Sequence, residues 1–123
     1  SFKYNGDTYF LSLVNPNNFV TGVNTIKAYI SKKSSVITTP YALASEQFIV
    51  AITPTMPDMG NHTSPNNEAL TLNTDSTYTG KINLTMTGVW NIHLVVKTPD
   101  GTVIAGGDND DSGYSNLYWT VNI

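Results

Sequence analysis

Apolar residues recur at every second position along most of this chain, and helical spacing does not recur. In "NTIKAYIS" (24–31) Ile26, Ala28 and Ile30 share one side, with Lys27 and Ser31 on the other. "EQFIVAIT" (46–53) places Phe48, Val50 and Ile52 together, and "ALTLNT" (69–74) does the same with Leu70 and Leu72. "STYTGKINLTM" (76–86) alternates cleanly, with Tyr78, Ile82, Leu84 and Met86 opposed to Thr79, Lys81, Asn83 and Thr85. "VWNIHLVVK" (89–97) sets Trp90, Ile92, Leu94 and Val96 against Asn91, His93 and Lys97. Weaker or shorter runs stand at 8–14, 102–105 and 116–123.

Turn-forming clusters separate these runs at 15–18, 31–35, 98–101 and 106–113. In "TPDG", Pro99 is pre-set for the first central position of a hairpin turn and Gly101 is free to take positive φ. The only candidate for a helical turn is "PYALASEQ" (40–47). About seven to eight short strands at regular spacing predict an all-β fold, an immunoglobulin-like antiparallel β-sandwich. If successive strands run antiparallel, the loop 54–67, the turn 86–88 and the acidic loop 106–115 all fall at one pole of it.

The length of 123 residues suits one domain, 1–123, with a core that needs no covalent staples. Because Ser1 is not an initiator Met, the chain reads as one module or the trimmed mature form of a longer protein. Roughly a quarter of the residues are Asn or Thr, which suit turns and exposed strands. Six cationic side chains, all Lys, against nine acids give a net charge of −3. That balance argues against nucleic acid and anionic membrane surfaces as partners, and no apolar run is long enough to span a bilayer. The absence of Cys excludes disulfides, zinc–thiolate sites and a cysteine nucleophile.

Catalytic chemistry finds little footing. No serine stands in a nucleophile elbow, no Gly-rich loop could cradle phosphate, and the two histidines lie in different segments. The expectation is a binding protein and not an enzyme.

The chemically unusual segment is "AITPTMPDMGNHTSPNN" (51–67), which holds two of the three methionines and one of the two histidines. Thioether sulfur is a soft, uncharged ligand that suits Cu(I) and has little affinity for hard cations. Met56, Met59 and His62, with Met86 from the turn at the same pole, make a candidate copper site, and His93 is a more remote candidate. A second reading stands beside it: Met56 and Met86 share core parity with their strands, so each can serve as a plug at the end of the sandwich. Met59 has only Asp58, Gly60 and Asn61 around it and lacks that explanation.

"DNDDSG" (108–113) matches the opening half of a calcium loop, with Asp108, Asp110 and Ser112 at alternating ligand positions. The expected bidentate Glu is replaced by Trp119, so a solvated Asp-rich turn is the competing reading. Asn61 and Asn83 each begin a glycosylation acceptor triplet, a match that a chain so rich in Asn and Thr produces by chance.

"MPDMGNH" followed by "YTGKINLTMTGVWNIHLVV" resembles the YtkA-like domain, related to the periplasmic part of FixH-type proteins. The carrying positions are Met56, Pro57, Met59, Met86, Gly88 and Trp90, within a resemblance covering roughly 46–97. It implies a small extracytoplasmic sandwich in the periplasm or cell envelope, often lipid-anchored or fused to other modules. It also implies copper handling through those Met and His residues, exchanged with a copper-donating or copper-accepting envelope protein. The alternative of a different class is a structural or interaction module that binds no metal, in which Met56 and Met59 are both buried.

Overall fold

The computed structural model describes residues 1–14, 18–33, 41–60, 62–107 and 117–123. Eleven strands and one 3₁₀ turn make up these residues, and every strand pairing among them is antiparallel. The strands are β1 (Phe2–Tyr4), β2 (Asp7–Leu13), β3 (Gly22–Lys33), β4 (Tyr41–Leu43), β5 (Ile49–Met56), β6 (His62–Thr63), β7 (Glu68–Leu72), β8 (Thr77–Leu84), β9 (Val89–Lys97), β10 (Val103–Gly106) and β11 (Tyr118–Asn122). The turn η1 (Pro57–Met59) lies between β5 and β6.

One sheet runs β1-β2-β3-β8-β7, with β4 beside the far end of β3. The other is built on β9, with β5 along one edge and β10 and β11 along the other, while β6 folds back on β5. Strand β7 stitches the two together: it pairs with β8 through Glu68, Thr71 and Leu72, and with β5 through Val50↔Leu70. β1 approaches β10 on the opposite side, so the sandwich is almost closed into a barrel.

The eight runs of alternation correspond to the eight longer strands, and 89–97 coincides with β9. The three short strands carry no readable period. β4 replaces the helical turn expected over 40–47. The reason is an unpaired edge: β8 accompanies β3 only as far as Tyr29↔Thr77, leaving Ser31–Lys33 to be paired by Tyr41–Leu43. In the 98–101 turn the Gly101 N–H donates to the Thr98 carbonyl at 2.9 Å, and Gly101 takes φ +91°, as the hairpin expectation requires.

The two poles of the core differ in chemistry. At one, Phe2 stacks on Tyr9 with centroids 5.3 Å apart, and Phe48 meets both rings edge-on. The Tyr78 hydroxyl accepts a hydrogen bond from the Phe48 N–H at 3.2 Å, so a fully buried phenol has its partner. At the rim of this pole Lys32 bridges Asp7 and Glu46 at 3.2 and 3.0 Å. At the other pole the core is closed by Trp90, Leu84 and Met56.

Gly80 shows how tightly β7 is drawn across β8. A Cβ there would lie 2.5 Å from the Glu68 carbonyl oxygen and 2.9 Å from the Ala69 carbonyl carbon, which are backbone atoms that no rotamer change can move. Gly80→Ala is expected to destabilise the fold by about 1–3 kcal/mol in urea unfolding; an unchanged midpoint would refute this packing.

Burial alone would raise the Glu46 carboxyl, but its own backbone N–H, Lys32 and Tyr9 outweigh burial and hold it below its ordinary value of 4.5. Its stabilising contribution is therefore complete above that ordinary value and is lost as pH falls through the lower folded value. Urea unfolding across a pH series should show the stability gap between the native protein and Glu46→Gln narrowing below pH 4.5, and a gap independent of pH would contradict it.

Candidate functional site

The segment that looks like a loose polar loop is a tight hairpin. β5 ends at Met56, Pro57 opens the 3₁₀ turn at a position where its missing N–H costs nothing, and Gly60 closes it at φ +67°. β6 then returns, with Met56 paired to His62 and Thr55 to Thr63. The Thr63 hydroxyl donates to the Pro54 carbonyl at 2.7 Å.

Residues 64–67 continue as an asparagine-built bridge to β8. The Asn67 side-chain carbonyl accepts from the Asn83 N–H at 2.8 Å, and the Asn67 amide donates to the Ser64 carbonyl at 2.8 Å. The Asn83 amide donates to the Pro65 carbonyl at 3.0 Å, so this acceptor-triplet nitrogen is already engaged in the fold. Asn61 lies outside the described residues.

The turn after β8 meets this hairpin. The Met56 methyl lies 2.9 Å from where a side chain at Gly88 would begin, and η1 packs beside β9. Gly88 takes φ +135° and exchanges two backbone hydrogen bonds with Ile123, each 3.0 Å. The Trp90 indole N–H donates to the Met86 carbonyl at 3.0 Å. Turn 85–88 is therefore held from three sides: Met56 below, the end of β11 beside it, and Trp90 through its carbonyl.

The three methionines are not equivalent. Met56 is 3 % exposed and fills the end of the core, whereas Met59 is 57 % exposed at the end of η1 and Met86 is 39 % exposed on its turn. Met56 thus fits the core-plug reading and Met86 does not, because the turn carries it past the end of β8. The non-metal reading places Met59 in the interior, and that burial is absent. The backbone of His62 is paired opposite Met56, while its imidazole lies outside the described part of the structure.

His93 does not join this pole. It stands on the face of β9 opposite the core, three residues from Trp90 and about 10 Å along the strand. Alternation places it on that outward face, and the ring there is fully buried, with the Tyr118 ring 5.1 Å away at a 32° tilt. Beside it, Thr120 donates to the Asn91 side-chain oxygen at 2.8 Å, and Thr55 donates to the Asn91 carbonyl. The outer side of β9 is packed like an interior surface, so alternation identified the face of His93 but not its burial.

Asp108, Asp110 and Ser112 lie outside the described residues. The expected convergence of the acidic loop with the methionine pole rests on residues 108–115, which likewise lie outside the described residues. Gly106 pairs with Val95 and Tyr118 with His93, so β10 and β11 lie end to end along the same edge of β9 and run in the same direction. β10 and β11 do not pair as a hairpin, so the alternation of strand direction is broken between them. Among the described residues no three His, Asp or Glu side chains form a group able to hold a metal.

A protein-family model described as YtkA-like matches residues 4–95. Comparison with curated proteins and with solved structures gave no match.

The links that hold turn 85–88 are absent from any reading of single residues, although Met86, Gly88 and Trp90 stand at alternate positions around the turn. They generate a stability pattern. Met56→Leu, which keeps volume, should cost less than about 1.5 kcal/mol in urea unfolding, and Met56→Ala about 2–5 kcal/mol. Gly88→Ala should cost about 1–3 kcal/mol through its positive φ. Equal stability of Met56→Ala and the native protein would show that Met56 does not plug the core.

Proposed function

The chain belongs to the YtkA-like family, and we propose that it is an extracytoplasmic domain that captures Cu(I) as cargo at the methionine pole. The observation that carries this reading is the exposure of Met59 and Met86 on two segments locked together through Met56, Gly88 and Trp90. An exposed thioether on a rigid turn gains nothing from core packing. It does offer a soft ligand that needs no deprotonation and so binds independently of local pH.

Met59 and Met86 are assigned as the accessible ligands, with His62 as the imidazole that also tolerates Cu(II). Met56 is assigned first to holding the two segments together and only second to the ion. The role is capture and transfer, not turnover. A few weakly held thioethers at a pole leave the ion open to ligand exchange with a donating or accepting protein of the cell envelope, where such exchange takes place. Asp58 stands between Met56 and Met59 in the chain, and a carboxylate there favours a cation.

The second reading, an interaction module without metal, is favoured by one observation: core filling alone accounts for Met56. Titration of Cu(I) against a competing chelator separates the two. Met59→Leu/Met86→Leu should weaken binding by about tenfold or more, equivalent to about 1.4 kcal/mol, without loss of stability. Indistinguishable titrations of the native protein and this double variant would sink the copper assignment in favour of the module.

A further inference from the structure

In an acidic chain of net charge −3, the structure gathers four of the six lysines on one surface. Lys3, Lys27, Lys33 and Lys81 all stand on the outer face of the first sheet, and all are exposed. Strand parity puts them there. Ile26, Ala28 and Ile30 fill the core, which sends Lys27 and Lys33 outward on β3. Lys81 alternates with buried Ile82 on β8, and Lys3 alternates with Phe2 on β1, where it bonds the Thr8 hydroxyl. Two acids offset them locally: Glu68 is opposite Lys81, and Asp75 at the rim is close enough to Lys27 to be stabilised by it. Of the other two lysines, Lys32 is committed to Asp7 and Glu46, and Lys97 is on the second sheet.

Exposed apolar groups lie between these charges. Phe10 and Tyr41 meet edge-on with centroids 5.3 Å apart, and with Tyr29 and Leu43 they line an open groove of about 520 Å³. Tyr29, Tyr41 and Leu43 are each more than a third exposed, although a monomer in water gains nothing by presenting them together. Cross-strand pairing fixes the arrangement: Ser31 stands between Phe10 and Leu43, and Ser12 stands beside Tyr29.

We infer that this outer face docks on the headgroup layer of an anionic phospholipid bilayer. The charge is positive where the rest of the chain is negative, which orients the molecule towards an anionic partner. It is spread out rather than convergent, since Lys27 and Lys33 stand about 20 Å apart along β3. A single phosphate or carboxylate cannot reach Lys27 and Lys33 together, whereas a planar anionic surface engages both ends of the face. Rings and an aliphatic side chain between the lysines decide against a dissolved polyanion, which would leave them wet. At a bilayer the Tyr and Phe rings enter the boundary region while the lysine amines remain at headgroup level. The acidic net charge argues against such a partner only for a chain whose charges are evenly mixed, and here they are segregated by strand parity.

Flotation with phosphatidylcholine vesicles, with and without phosphatidylglycerol, tests this in low salt. The native protein is expected to partition onto the anionic vesicles alone and to be released by high salt. Lys27→Gln/Lys33→Gln should weaken partition by about thirtyfold, and Tyr29→Ser/Leu43→Ser should weaken it at unchanged charge. Lys97→Gln, on the second sheet, should leave it unchanged. Equal partition onto both kinds of vesicle, an equal loss in Lys97→Gln, or binding to dissolved polyphosphate without binding to vesicles would each overturn the inference.

Discussion

Strand β9 is buried on both faces, and the rest of the molecule is arranged around that constraint. Its inner side supplies Trp90, Ile92, Leu94 and Val96 to the core, while Asn91, His93 and Val95 are enclosed on the outer side. A strand so enclosed must have both edges paired, since its N–H and C=O groups cannot reach water. β5 takes one edge over seven residues, and the other is shared by β10 and β11 in succession. The C-terminal strand is thereby drawn up to Gly88.

The methionine pole is a consequence of the same strand. β9 begins at the turn that carries Met86, and its first core residue, Trp90, reaches back to that turn's carbonyl. β5, paired beside it, delivers Met56 beneath Gly88. One thioether is consumed in joining two segments so that two others can be displayed on a firm support. Such support would serve the proposed copper site, because each weak ligand held in place in advance reduces the ordering cost of binding.

The lysine face follows from a different part of the architecture, the first sheet, whose outer surface faces solvent. Parity alone decides which side a residue takes, so charges scattered through the sequence become a patch when four strands align. The two surfaces are distinct, one at an end and one on a flank, and a molecule resting on the flank leaves the pole accessible.

The eight longer strands and the core follow from local pattern alone. Alternation in 76–86 and 89–97 is dictated by which residues avoid water, a local property, and those strands form where the pattern places them. The fold class was legible for the same reason, and the motif around Met56, Met59 and Met86 through its resemblance to the YtkA-like family. Strands of two or three residues were not legible, because β1, β4 and β6 are too short to carry a period and exist only where a neighbour's edge needs pairing. Tertiary structure also decided what parity cannot: that outward-facing His93 is enclosed, that Met56 is buried while Met59 is not, and that β10 and β11 share an edge. Each of these depends on which strands become neighbours, and neighbours are chosen by the packing of the whole core and not by any segment's own composition.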